Sequence, residues 1–178
     1  MVRNEEAVRT FIQQYEKLVI HIVFKMVSVQ EDREDLCQEI FLKTFEKLSS
    51  FRFGSKLSTW IGTIAFNSCV NFLKKKKVIL TEDFFKTNED DEAECEIKDM
   101  ALTPDLSLMT KEKMVLLQKT AETLNPVQRT ILQLFHEDNC SLEEISEITN
   151  LSLNTVKSHL FRARKLLKKE LLHLMYSQ

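Results

Sequence analysis

The sequence predicts an all-α protein built as two small helical domains, and three observations carry that expectation. Glycine and proline occur only twice each in 178 residues, too few turn-formers for a sheet protein with its frequent reversals. Long stretches place apolar residues three and four apart, the spacing of one helix face. Helix-start signals recur in the second half, where Asn125-Pro126, Ser141-Leu-Glu-Glu144 and Ser152 each precede such a run.

Taken in order, residues 1–77 read as a first domain of three or four helices starting at Glu5. The first helix has Phe11, Ile12, Tyr15, Val19, Ile22 and Val23 as its apolar stripe. A charged turn, SVQEDRED, leads to a second helix expected from about Asp32. Leu36, Ile40, Thr44, Phe45 and Leu48 share one face of it, with Phe41 alongside. Asp35, Glu39, Lys43 and Glu46 share the other, with Gln38 at its border. Leu42 falls among these polar residues. It reads either as an anchor for a protein partner or as one of the single exposed leucines that folded proteins commonly carry.

The loop FRFGSKLS separates this helix from a third, expected over Thr59 to Lys77. Thr59, Thr63, Asn67, Asn71 and Lys74 form a polar stripe that includes Trp60, and the helix ends in four lysines, Lys74 to Lys77. An aromatic beside amides and cations suits unpaired bases and phosphates. Trp60 packed under the preceding loop, with the lysines solvated, is the alternative.

Residues 78–105 form an acidic linker centred on NEDDEAECE, a composition that buries little apolar surface. The second domain, 106–178, opens on TPDLSL, where Thr103 caps and Pro104 suits the first helical position. Gln128 is placed to complete a capping arrangement with Asn125, and Ser141 with Glu144 makes a capping box. Asn150 tolerates the left-handed backbone of a tight turn, and Ser152 caps the last helix. Two helices joined by so short a turn make a helix-turn-helix. On the last helix Val156, Leu160, Ala163 and Leu167 face inward. Asn154, Lys157, Ser158, Phe161, Arg162 and Lys165 face outward, a set able to reach base edges, phosphates and a thymine methyl. An amphipathic protein-binding helix is the competing reading.

The net charge of −2 conceals a division along the chain. Residues 1–50 carry −2, 51–77 carry +6, 78–112 carry −8, 113–151 carry −3 and 152–178 carry +5. The stretch 51–77 has no carboxylate side chain at all. Two basic segments separated by an acidic one fit two polyanion contacts. Cys37, Cys69, Cys95 and Cys140 have no metal-ligand or disulfide spacing, so reduced thiols and a cytoplasmic location are expected. The absence of an apolar leader or membrane-length run argues against membrane insertion. His21, His136, His159 and His173 are scattered, and no nucleophile elbow, paired carboxylates or phosphate loop accompanies them. No enzymatic activity, metal or other cofactor is therefore expected.

With these residues in view, the chain resembles an extracytoplasmic-function (ECF) sigma factor of the sigma-70 family. DREDLCQEIFLKTF and FRFGSKLSTWIGTIAFNSCVNFLKKKK are similar to region 2, and LNPVQRTILQLFHEDNCSLEEISEITNLSLNTVKSHLFRARKLLKKEL to region 4. The resemblance implies a dissociable polymerase subunit that directs RNA polymerase core to promoters. Asp35, Leu36, Gln38, Glu39, Phe41 and Leu42 would then meet core at the β′ clamp helices, with region 4 meeting the β flap. Ser55, Lys56, Leu57, Trp60, Asn67 and Lys74 would meet the melted −10 element, where a flipped base is captured. Asn154, Thr155, Lys157, Ser158, Phe161, Arg162 and Lys165 would read the −35 duplex. An anti-sigma factor is implied as a further partner, and a path near the RNA for the acidic linker.

Four positions depart from the family's usual residues. Phe66 stands where a basic residue is frequent, Asn150 and Asn154 where glycine is frequent, and His159 where arginine is frequent. A LuxR-type regulator is the alternative, since TVKSHL also fits its helix-turn-helix. It leaves the DLCQEIF helix and the Trp60–Lys77 helix without a role.

Overall fold

The computed structural model describes residues 5–76, 120–121 and 123–176. Among them are six α-helices and no strand: α1 (Glu5–Met26), α2 (Gln30–Lys47), α3 (Leu57–Lys75), α4 (Pro126–His136), α5 (Leu142–Thr149) and α6 (Leu153–Tyr176), with a short 3-10 turn at Leu48–Ser50. The expected acidic linker, and the Thr103-Pro104 helix start, lie outside the described residues.

The first lobe follows the sequence pattern. Val19, Ile22, Val23 and Met26 of α1 are buried, and its end charges, Glu5 and Glu6 against Lys25, oppose the helix dipole. Arg33 closes the α1–α2 turn: its Nε donates to Val27 O at 2.7 Å, and its guanidinium lies 4.6 Å from the Phe24 ring centroid. That turn lets α2 begin at Gln30, two residues before the expected start. Leu36, Ile40 and Thr44 are its buried residues. The Thr44 hydroxyl donates to Ile40 O at 2.8 Å, which satisfies a buried polar group inside the helix.

Among the described helices, α3 is the most extensively buried. It begins at Leu57 rather than Thr59 and buries Thr59, Ile61, Gly62, Ala65, Phe66, Ser68, Cys69, Val70 and Leu73. So many buried positions cannot lie on one stripe, because α3 packs against α1 and α2 on one side and α5 on another. Phe66, at a position where a basic residue is frequent in the resembled family, is 1% exposed and belongs to this core.

In the second lobe the capping signals act as their chemistry predicts. The Gln128 amide donates to Asn125 Oδ1 at 2.8 Å, and the Ser141 amide to Glu144 Oε2 at 2.8 Å, in reciprocal capping boxes. Asn150 takes the left-handed conformation at φ 55°, and the Thr155 amide donates to Ser152 Oγ at 3.1 Å. α5 and α6 are therefore a helix-turn-helix with both starts capped.

The two lobes share one continuous apolar core. Val127, Ile131 and Leu134 of α4 and Ile145 and Ile148 of α5 join the cluster of Val19, Ile22, Ile61 and Ala65, with α4 against α1 and α5 against α3. Where α5 packs on α3, a side chain on Gly62 would meet Ile148: an added Cβ would stand 3.0 Å from both Cγ1 and Cδ1. Glycine at 62 permits this approach of α5 to α3.

Candidate nucleic-acid and polymerase interfaces

The outer face of α2 is open. Asp35, Gln38 and Glu39 are exposed, and Leu42 is 62% exposed among them. Phe41 is half-buried. Leu36, expected at the same surface, is instead buried, so it holds α2 to the core. Its position on the opposite side from Asp35 and Leu42 follows from helical periodicity.

The loop and α3 present a second surface, half of it covered. Trp60 is half-buried, its centroid 5.2 Å from Phe51, which in turn lies 4.8 Å from Phe53. Trp60 thus packs against the preceding loop while keeping part of its ring exposed. Ser55 and Leu57 are half-buried; Asn67, Asn71 and Lys74 are exposed along the polar stripe. At its N-terminal half the stripe runs beneath α5. Thr59 is buried, and Thr63 Oγ1 lies 3.0 Å from Thr59 O and 3.3 Å from Glu147 O. Lys76 Nζ bonds Asp32 at 2.6 Å, so this member of the terminal lysine run ties α3 to α2.

Lys56 joins the lobes. Its ammonium lies 2.7 Å from Glu144 Oε1, while the other oxygen of that carboxylate accepts from the Ser141 amide. The Lys56 bond, with the Ser141 amide second, holds the Glu144 carboxyl below its ordinary range. A second cross-lobe contact joins α1 to the α4–α5 turn: His21 Nδ1 is 2.8 Å from Asp138 Oδ1. Burial pushes the Asp138 carboxyl up, against the opposing effect of His21. An open cleft between the lobes is lined by Tyr15, Lys56, Thr59, Asp138, Cys140 and Glu144.

On α6, Asn154 and Lys165 are exposed, and Thr155, Lys157, Phe161 and Arg162 are half-buried. The Lys165 ammonium lies 5.8 Å from the Phe161 ring centroid. Ser158 departs from the expected outward face, being only 3% exposed. A long helix packed on more than one side loses part of the polar face that a two-sided reading assigns to solvent. His159 is buried beside it, with no hydrogen-bond partner at either ring nitrogen among the described residues. Burial, then the Arg162 guanidinium, pushes its pKa down to about 4.

In the sequence Glu144 carries only the signature of a cap, and no motif marks His21, Asp138 or Phe53. The aromatic pair in FRF was a visible signal for Phe53, whereas His21 and Asp138 are 117 positions apart and no local pattern links them. Among the described residues no cluster of three or more His, Cys, Asp or Glu could hold a metal ion. No described helix is long and apolar enough to cross a membrane.

An acid-free helix ending in lysines, an open carboxylate-and-leucine face and a capped helix-turn-helix define a class, and comparison with known families names it. Residues 11–78 match Sigma-70 region 2 and residues 114–167 match Sigma-70, region 4; the chain belongs to the sigma-70 family of RNA polymerase sigma factors. Its place there is in the ECF group. It is 27% identical over 173 residues to the ECF RNA polymerase sigma factor SigW of Bacillus subtilis, covering 94% of this chain and 90% of the relative. It is 28% identical over 178 residues to the ECF RNA polymerase sigma-E factor of Haemophilus influenzae, covering 97% and 91%. The fold is similar to that of the sigma factor RpoE, solved in complex with the anti-sigma factor NepR from Bartonella quintana. There the TM-score is 0.66 at 22% identity, over 92% of this chain and 96% of that one. The chain thus functions as an ECF sigma factor, and the LuxR-type alternative is not favoured, because it leaves the region 2 match without a role.

Proposed function

We propose how the named residues divide the work of a sigma factor. The open face of α2, with Leu42 as apolar anchor and Asp35, Gln38 and Glu39 as polar rim, docks on the clamp helices of core polymerase, and region 4 meets the β flap. Ser55, Lys56, Leu57, Trp60, Asn67 and Lys74 receive the melted −10 strand. Asn154, Thr155, Lys157, Phe161, Arg162 and Lys165 read the −35 duplex, and Ser158 supports the helix until α6 is uncovered. An anti-sigma factor is a further partner, and the cytoplasm the place of action.

The observation that carries most weight is the engagement of Lys56 and the N-terminal half of α3 by α5. Surfaces suited to the −10 strand and to region 4's own helix coincide there, so promoter binding requires the lobes to part. Core polymerase, holding the two regions at separate docking points, supplies the free energy for that separation. Transcription from genomic templates by core polymerase with and without this chain tests the assignment. Promoter-specific transcripts are expected only with it; a folded chain that neither binds core nor directs initiation overturns it.

A further inference from the structure

Lys43 stands at the α3 edge of the open face of α2, and the docking assignment gives it no part. Asp35, Glu39 and Lys43 follow one another at intervals of four residues, so they line one side of the helix. Lys43 Nζ lies 2.5 Å from Glu39 Oε1, the two side chains being 36% and 52% exposed. A second contact comes from another helix. The same ammonium donates to Ser68 Oγ of α3 at 3.4 Å, and Ser68 is only 6% exposed. Lys43 therefore bridges a buried hydroxyl of α3 to an exposed carboxylate of α2.

Stability does not account for this bridge, because water screens an exposed pair on one helix and leaves it worth little. What the bridge fixes is a direction. Asp35 lies one turn from Glu39, and like charges at that spacing repel, so a free Glu39 side chain would spread over several rotamers. A lysine stem is flexible too, and alone it would share that disorder. The contact with Ser68 ties the ammonium to α3, and the ammonium in turn holds the carboxylate. Ordering a long side chain is one of the costs of association, and here that ordering precedes the encounter.

We infer that Lys43 is a positioning residue for polymerase docking, anchored on α3 through Ser68 and holding the Glu39 carboxylate in the pose that meets core. The inference rests on the assignment of the open α2 face to the clamp helices, and adds two residues which that assignment does not use.

Titration of the full chain with labelled core polymerase tests this through a double-mutant cycle. Lys43→Met keeps the apolar stem and removes the charge. It is expected to weaken core binding about 3- to 10-fold, within the range for side chains of one network, with heat stability unchanged. Lys43→Arg restores binding. Glu39→Gln weakens it at least as much as Lys43→Met, and combining the two adds nothing to Glu39→Gln alone. Ser68→Ala gives a smaller loss, absent once Lys43 is Met. Additive losses at 39 and 43 overturn the inference, because Lys43 would then touch core directly. So does a Lys43→Met chain that binds core as wild type does, or one whose weaker binding comes with an equal loss of heat stability. Unchanged core binding by both Leu42→Asp and Glu39→Gln is a different result, and overturns the docking assignment itself.

Discussion

Gly62→Ala probes the closed arrangement with a single carbon. The added Cβ would stand 3.0 Å from Cγ1 and Cδ1 of Ile148 and 3.5 Å from Cγ2. Ile148 is 1% exposed and Cγ1 is bonded to its Cβ, so the contact cannot be relieved by swinging a side-chain tip alone. Overpacking of this kind costs about 1–3 kcal/mol. The substitution also favours helix by about 1 kcal/mol, and it does so whether the lobes are together or apart. That gain cancels from the balance between the two states, leaving about 1–3 kcal/mol, or roughly 5- to 150-fold, in favour of parted lobes. Small-angle scattering of the free chain should show a larger radius of gyration, with helix content unchanged. Binding of fork-junction DNA by the free chain should rise by up to the same factor. Ile148→Ala removes the clashing atoms, so the double substitution should show a coupling of similar size in a stability cycle. A Gly62→Ala chain with unchanged dimensions, no loss of lobe association and no coupling to Ile148 would refute the reasoning.

Other substitutions separate the remaining roles. Leu42→Asp should leave thermal stability within about 0.5 kcal/mol, because the side chain is largely exposed, but weaken core binding by roughly 30-fold or more if Leu42 is the anchor of its face; titration with labelled core measures this. Phe161→Ala should reduce the preference for the selected −35 duplex over random duplex by roughly tenfold, with little change in random-duplex affinity; equal losses on both would make Phe161 a helix support. His159 gives a pH dependence. Its folded pKa lies near 4, below the unfolded value of about 6.5, so the unfolded chain takes up a proton first. Its stability penalty is absent above about pH 6.5 and grows as pH falls toward 4, reaching about 3 kcal/mol. Urea unfolding between about pH 6.5 and 4.5, above the range where most carboxylates titrate, should show this slope in wild type and a flatter one in His159→Gln.

Local chemistry was legible wherever it acts within a turn or two of the chain. The capping boxes at Asn125 and Ser141, the left-handed Asn150 and the Ser152 cap each follow from bonds spanning a few residues. The buried face of α2 and the open Leu42 follow from a helix with one packed side. Periodicity failed where a helix has more than one neighbour. Thr59 and Ser158, polar and placed on outward stripes, are buried, because a hydroxyl can be satisfied within its own helix and carries no mark of what covers it.

By itself, then, the sequence determined the helices, their caps, the helix-turn-helix and the family, since all of these depend on short-range bonds or on motifs read in order. Only the tertiary structure decided that the lobes close on each other. That arrangement depends on Lys56 meeting Glu144, His21 meeting Asp138 and Gly62 admitting Ile148, pairings between distant positions that leave no period in the chain. It likewise decided that Phe53 stands exposed in a strained turn while its neighbour Lys56 is held, because backbone conformation and occupancy arise from packing around the loop and not from the residues FRFGSK alone.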